Sequence, residues 1–441
     1  MKTLIVPVLL CNLAACSSDG SSPILAEADA GPTTDEVTYY QDVEPILYTH
    51  CVGCHSEGGI GPFVLNTAEA ATSAASAIAL ATADRIMPPW PPGEASKALK
   101  HDRSLSAEQI QTISEWAAAG APLGDPENPG LRIEPEVVDI GETDVRFDIG
   151  VDYVADESVD DDYRCFLVDP KITNLQYVTG YRVIPGNERT VHHVIAAAYS
   201  ADSLASLQEL DGRSPDRAGW PCFSGLVPDD VEARPVGSFG SWVPGVSAVA
   251  YPEGTGRPLV PGALAVIQVH YNLAGGLDPD RTVIELATEP SSTPLTRLGG
   301  VGLVNRDLNI TAGSERVEFS QSLTARQWLE SRGGQVPADG DFYILGGGLH
   351  AHLLATEMSL LLNDDPIIDI PRWDFHWQGG YTLEDAVRVT LDDVLTIRCV
   401  YNNSDAFRAT QGLGPSVPVA FGDGTEDEMC IGSFQAVDEL P

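Results

Sequence analysis

Two periodicities divide the chain. From Tyr39 to about Gly124 apolar residues recur at helical spacing, and from about Arg132 onward they alternate or cluster in short β-branched runs. In the first region an Ala-rich apolar run covers Asn66 to Ile86. A second opens at Ser106 with Gln109 three residues on, the spacing of a capping box; Ile110, Ile113, Trp116 and Ala117 then share one face, and Gly120 stands where a helix would end. In the second region, segments such as Val145 to Ile149, Gln176 to Ile184, Ala263 to Tyr271 and Val394 to Tyr401 are separated by Pro, Gly, Asn and Asp turns. The predicted fold is multidomain, a small all-α domain followed by two all-β sandwiches of jelly-roll type, because roughly 300 residues of strand pattern commonly make two sandwiches. The stretch Ala121 to Leu131, with its Pro and Gly, reads as a linker, and Glu289 to Ser292 as the seam. The expected domains are 37–126, 132–288 and 289–441. No internal repeat shows in the sequence, although two sandwiches of similar size would amount to one.

Ahead of these domains, Lys2, the apolar run Leu4 to Leu10 and the sequence Leu13-Ala14-Ala15-Cys16 form an expected bacterial export signal over 1–15. It resembles a lipoprotein signal. That resemblance makes Cys16 the acylated first residue of the mature protein, and Ser17 supplies no cue for inner-membrane retention, so the expected location is the periplasmic face of the outer membrane. An ordinary cleaved signal with an incidental Cys is the alternative. Residues 16–36 then read as a flexible Ser-, Ala- and Asp-rich tether. No other stretch has the roughly 18 uninterrupted apolar residues of a spanning helix, so membrane attachment is expected through lipid alone.

The charge narrows the partners. With 25 basic against 64 acidic residues, a formal net charge of −39, nucleic acid and anionic membrane surfaces are excluded as expected partners. Solubility or salt adaptation is the simplest meaning of such a surface. Of the eight cysteines, Cys11 falls in the signal, Cys16 at the anchor, and Cys51 and Cys54 together, which leaves Cys165, Cys222, Cys399 and Cys430. An exported chain meets an oxidising compartment, and neighbours within one expected domain pair as Cys165–Cys222 and Cys399–Cys430.

Cys51-Val52-Gly53-Cys54-His55 has the C-x-x-C-H spacing in which two thiols form thioethers to haem vinyl groups and the adjacent His supplies the proximal iron ligand. A zinc or redox dithiol is the competing reading. A soft sixth ligand suits an electron carrier, and Met87, in Met87-Pro88-Pro89-Trp90, lies in the same region, where the prolines would hold an extended segment against the haem face. This stretch looks like the Met loop of small cytochrome c domains, with His50 or His101 as fallback ligands.

Five further histidines occupy three contexts: His192-His193, His270-Tyr271 and His350-Ala351-His352. On a strand His350 and His352 point to one face and can close on one ion. Adjacent His192 and His193 would face oppositely on a regular strand, so either a strand end or bulge re-aims one, or they bind through different ring nitrogens. Imidazole alone does not choose among copper, zinc, iron and nickel.

With these residues in place, the region from about Arg132 to Ala436 resembles the copper type II, ascorbate-dependent monooxygenases. The resemblance implies one copper on His192, His193 and His270, which transfers electrons, and a second on His350, His352 and Met429, which activates oxygen. It implies that Cys430 anchors Met429 beside the His pair, and that O2, a small organic substrate and an external electron donor are the partners. The sequence departs from the amidating members of the family at Gly348 and Ser433, where an Arg and a Tyr are expected, so peptide amidation is not anticipated. The aromatic run Trp373-Asp374-Phe375-His376-Trp377 is expected to pack in the interior, with His376 a surplus histidine near the second site. The expected cofactors are two copper ions and one haem c, the haem feeding electrons to the all-histidine copper. A non-enzymatic electron-transfer or copper-binding lipoprotein is the second reading.

Overall fold

Ser106 caps its helix as its spacing predicts: its Oγ accepts the Gln109 N–H at 3.1 Å, and Gln109 Oε1 accepts the Ser106 N–H at 2.8 Å. The computed structural model describes residues 36–159, 161–222, 225–228, 230–273, 276–331, 340–422 and 426–441. The expected signal peptide, Cys16 and the tether up to residue 35 lie outside the described residues. The capped helix, Ala107–Ala118, buries Ile113 and Trp116 against Tyr39, Val43, Leu47, Leu65, Ala71 and Ile78, and Gly120 ends it at φ +87°. The helix Glu44–His50 contributes Leu47 to this core. The Ala-rich run is two helices, Ala68–Ser73 and Ala75–Ala83. The break follows two consecutive back-bonds, Thr72 Oγ1 to the Ala68 carbonyl at 2.7 Å and Ser73 Oγ to the Glu69 carbonyl at 2.8 Å, a pattern that bends helices.

The stretch expected as a linker is pinned instead. The first amides of a helix have no intrahelical acceptor, and here carbonyls of Pro122 and Leu123 accept the N–H groups of Tyr39 and Tyr40 at 2.8 and 3.0 Å. Gln41 Nε2 in turn donates to the Asp125 and Asn128 carbonyls at 2.6 and 2.8 Å.

The β region forms two sandwiches. In the first, one sheet holds Val145–Asp148, Val283–Pro290, Gln176–Ile184 and Thr255–Leu259 in that order, and the other holds Asp161–Val168, Leu264–Asn272, Val191–Tyr199 and Pro235–Trp242. The second sandwich has Gly299–Val304, Ile431–Val437, Phe342–His350 and Gly380–Val389 in one sheet, and Val317–Thr324, Val394–Tyr401, Ala355–Leu362 and Asp365–Ile370 in the other. Numbering the eight long strands of each sandwich in chain order gives sheets one-eight-three-six and two-seven-four-five both times. Each sandwich is therefore a jelly roll, and the chain contains a topological repeat that its sequence hides.

The seam falls later than expected. Thr296–Arg297 still pairs with Thr255–Gly256 of the first sandwich, and the second begins at Gly299, so the 288/289 boundary cuts a paired strand. The turn-rich stretch chosen from sequence is a surface turn within the first sandwich. A bulge joins the two cores: between Ile344 and Gly346 the register of Phe342–His350 shifts, and the unpaired Leu345 turns out of its own sandwich into the core of the first.

The helical unit is clamped to the second sandwich by residues 93–100. Gly93 and Lys97 donate to the Asp369 and Ile367 carbonyls at 2.8 and 3.1 Å, while Lys100 donates to Thr382 at 2.8 Å and Ala98 accepts from Glu384 at 2.9 Å. Asp365–Ile370 and Gly380–Val389 are the outer strands of the two sheets, so one segment satisfies both edges. Arg372 adds donors to the Asp84 and Arg85 carbonyls at 2.8 and 2.5 Å. Arg372→Ala should weaken this clamp by about 1 kcal/mol, the usual worth of such exposed bonds. Hydrogen exchange should then quicken at Gly93, Lys97 and Lys100 and stay unchanged along Val394–Tyr401.

Candidate metal sites

The first His group is built by strand register. His193 stands directly opposite His270, and a register shift between Val191 and His193 inserts His192 as an extra residue. Of the ways open to adjacent histidines, the bulge is the one used. The ring nitrogens of His192, His193 and His270 lie within 4.8 Å of one another, with Nδ1 of His193 and His270 3.2 Å apart. The neighbouring strand completes the setting: Tyr163, opposite His270, stacks flat on it at 4.0 Å, and Asp161 Oδ1 accepts from His270 Nε2 at 2.8 Å. That bond fixes the His270 proton on Nε2 and leaves Nδ1 as a lone pair aimed at His193. Among the described residues His192 Nδ1 is buried with no hydrogen-bond partner. Burial, then the neighbouring His270 and His376, push His192 down to about 3; burial likewise holds His193 far below the usual range, and His270 is lowered by burial against the pull of Asp161. Three neutral imidazoles with converging lone pairs fit a metal ion.

The second group lies at the end of Phe342–His350, where His350 pairs with Ile431. His352 lies two residues past the end of that strand, and Met429 two residues before Ile431. His350 Nδ1 donates to Gln378 Oε1 at 2.5 Å and His352 Nδ1 to the Asp427 carbonyl at 3.1 Å, so both rings keep the lone pair on Nε2. Their centroids are 5.3 Å apart, and burial, then His352, brings His350 down to about 4.

Glu428 holds this arrangement from below. Fully buried, it accepts N–H groups of His352, Leu354 and Met429 at 2.9, 2.6 and 3.2 Å, and burial pushes its carboxyl up to about 8. Met429 is buried, and its carbonyl accepts the Tyr401 hydroxyl at 2.7 Å. Both expected disulfides form, Cys165–Cys222 and Cys399–Cys430. A Cβ on Gly346 or Gly347 would stand 2.2 or 2.7 Å from the Tyr381 or Ser433 carbonyl, and one on Gly348 3.3 Å from the Gly379 carbonyl. Gly346 and Gly347 thus admit no side chain, and at Gly348 one would need the Gly379 carbonyl to give by a few tenths of an ångström.

In the helical unit Cys51 and Cys54 are unbonded, and burial pushes Cys51 up to about 12, so it is not poised as a thiolate. His55 Nδ1 donates to the Phe63 carbonyl at 2.9 Å, which presents Nε2 as the ligating atom, and Gly61 passes so near that a Cβ would stand 2.7 Å from that ring. Phe63 packs 5.0 Å from His55 while remaining 44% exposed, and Ile86, next to Met87, is 49% exposed. Phe63, an apolar side chain open beside the motif, fits a hydrophobic macrocycle. Met87 is half-buried, and no hydrogen bond links it to His55 among the described residues. His50 faces Gln109 and His101 pairs with Glu136, so both fallback ligands are engaged elsewhere. Cys54 points toward the first sandwich: a Cβ on Gly245 would lie 3.4 Å from its Sγ.

The aromatic run departs from expectation. Only Trp373 is buried; its indole N–H donates to the His352 carbonyl at 3.2 Å. The 3-10 turn Phe375–Trp377 lies across both His groups. Phe375 packs 6.0 Å from His352, whereas His376 and Trp377 pack 5.3 and 6.3 Å from His192. His376 therefore stands at the first group, not the second. Sequence reasoning missed Asp161, Gln378 and Glu428, because a carboxylate or amide signals nothing until its neighbours across the fold are known.

The fold and these groups define a protein of two fused jelly rolls, each carrying a group of histidines, the first of which could hold a metal ion. Residues 330–434 match the family model for copper type II ascorbate-dependent monooxygenase, C-terminal domain. Dopamine beta-hydroxylase of Rattus norvegicus is 26% identical over 321 residues, 69% of this chain and 46% of the relative, so the chain spans about half the length of that curated protein. Together these matches support the copper type II monooxygenase family, and copper as the metal. Among solved structures, the major capsid protein P2 from Bacteriophage PM2 is 9% identical, covering 67% of this chain and 98% of that one at a TM-score of 0.24. BuGH86 in complex with neoagarooctaose is 14% identical, covering 63% and 33% at 0.16. Neither score defines a shared fold.

Asp161→Ala should weaken metal binding at the first group about 10- to 100-fold, the usual effect of removing a carboxylate behind a ligating His, as titration of the metal-free protein would measure. The depressed histidines also set a pH dependence. Between about 6.5 and the folded values the unfolded chain binds more protons, so the metal-free protein loses stability as pH falls. Relative to a His192→Asn, His350→Asn variant, the wild-type melting temperature should drop further between pH 7 and pH 5; other titrating groups, Glu428 included, cancel in that difference.

Proposed function

We propose that this chain is a copper-dependent monooxygenase that hydroxylates a C–H bond of a small organic substrate with O2, supplied with electrons through a covalently attached haem c, and lipid-anchored at the periplasmic face of the outer membrane. The observation that carries the reading is the gathering of three neutral imidazoles on one jelly roll, with His350 and His352 5.3 Å apart on the other. His192, His193 and His270 would hold one copper, and His350, His352 and Met429 the other. Bound copper supplies one-electron transfer and the activation of O2, with a thioether favouring the cuprous form.

The chain's own residues divide the remaining work. Asp161 and Tyr163 fix the His270 ring, Gln378 and the Asp427 carbonyl orient His350 and His352, and Glu428 fixes the backbone on which His352 and Met429 sit. The close-packed Gly346–Gly348 strand, with Ser433 beside it, leaves no carboxylate-gripping arginine, which favours an uncharged or cationic substrate over a peptide terminus.

Cys51, Cys54, His55 and Met87 would hold the haem. An inlet here is supported by the position of Cys54 against Gly245, in a loop whose Val246 carbonyl accepts the Trp242 indole N–H at 2.7 Å. Trp242 pairs with Val194, next to His193. The Cys51–His55 motif and the first His group therefore abut the same segment, which runs from Trp242 to Val246.

Metal analysis comes first, with about two Cu and one Fe per chain expected and stoichiometric Zn overturning the assignment. Oxygen uptake with a panel of small aromatic amines and alkyl compounds then tests turnover. Hydroxylated product that vanishes in Met429→Ala is the expected result, and copper binding without oxygen uptake would leave a non-enzymatic electron-transfer or copper-binding protein. Reduced haem should reoxidise faster in copper-loaded than in copper-free protein; equal rates would remove the haem from the reading.

A further inference from the structure

His376 belongs to the second jelly roll, yet its ring centroid lies 5.3 Å from that of His192, no farther than the 5.9 Å between His192 and His193. Asp374 Oδ1 accepts both the His376 N–H at 2.9 Å and its Nδ1–H at 3.0 Å, which caps the short turn and leaves the lone pair on Nε2. This is the carboxylate-behind-imidazole arrangement that Asp161 gives His270. His192 offers a buried ring nitrogen with no hydrogen bond. His376 stands outside the 4.8 Å group, with its side chain 49% exposed.

From this we infer that His376 completes the first histidine site as a fourth imidazole contributed across the domain junction, so that filling the site locks the two jelly rolls together. The inference rests on the copper reading above. A fourth nitrogen would close the coordination of that ion, leaving it suited to electron exchange and not to binding oxygen. It would also reach the second site, because Gln378, two residues beyond His376, holds His350 at 2.5 Å, and Phe375, one residue before, packs on His352. Loading one site would then fix the supports of the other, a coupling that must act in both directions.

The test uses the full chain carrying His350→Ala and His352→Ala, so that Cu(II) loads the first site alone. Pulsed EPR should report four coordinated imidazole nitrogens, and adding His376→Ala should reduce them to three and weaken Cu(II) binding at least about 10-fold. Copper should slow hydrogen exchange across residues 374–378, and that slowing should disappear with His376. If His376→Ala does not fold, Asp374→Asn, which keeps the ring and loosens its hold, should give a smaller loss of affinity and a shifted EPR spectrum. Equal nitrogen counts and affinities with and without His376, in a variant with an unchanged melting temperature, would overturn the inference while leaving the copper site intact. Absence of Cu(II) binding in the wild type, or binding indifferent to His192→Ala, would instead defeat the copper reading itself.

Discussion

Everything at the second site hangs on one carboxylate removed from water. Glu428 gathers backbone amides from the turn after His350 and from its own loop, and thereby joins two chain segments more than seventy residues apart. A buried acid is costly unless its oxygens are satisfied, and here satisfaction comes only when the His352 turn and the Met429 loop are both in place. The disulfide at Cys430 and the Tyr401 hydroxyl secure the far side of the same loop. The Met429 backbone is thus held on both sides, by Glu428 and by Tyr401.

The helical unit bears on the jelly rolls in a comparable way. A tethered domain would meet its partner by diffusion at an effective concentration set by the tether. Here the segment that follows the Met-Pro-Pro-Trp stretch is stitched to two sheet edges, and the stretch chosen as a linker is folded back on the first helix. The Cys54 face is accordingly held against the first jelly roll as a fixed neighbour.

Much of this was readable in advance, and for identifiable reasons. The Ser106 cap, the strands at Gln176–Ile184 and Val394–Tyr401, both disulfides and the gathering of His192, His193 and His270 follow from local periodicity, residue chemistry and family resemblance. What escaped was set by distant partners. The seam moved because Thr296–Arg297 finds a partner forty residues upstream. The Ala-rich helix broke because two hydroxyls turned inward. His376, expected near the second group, stands at the first, because proximity in sequence to the His350 pair is no guide to which sandwich a turn faces. The identical strand order of the two sandwiches left no trace at all, since topology constrains only which strands pair and not which residues fill them.

That shared strand order bears on descent. The first histidine group occupies the fourth and seventh strands of its jelly roll, in one sheet, whereas the second lies at the end of the third strand and just past it, in the other. If the two halves arose by duplication, the metal sites are not copies of an ancestral one. Standing at non-equivalent places, the two groups had no shared residues to keep alike.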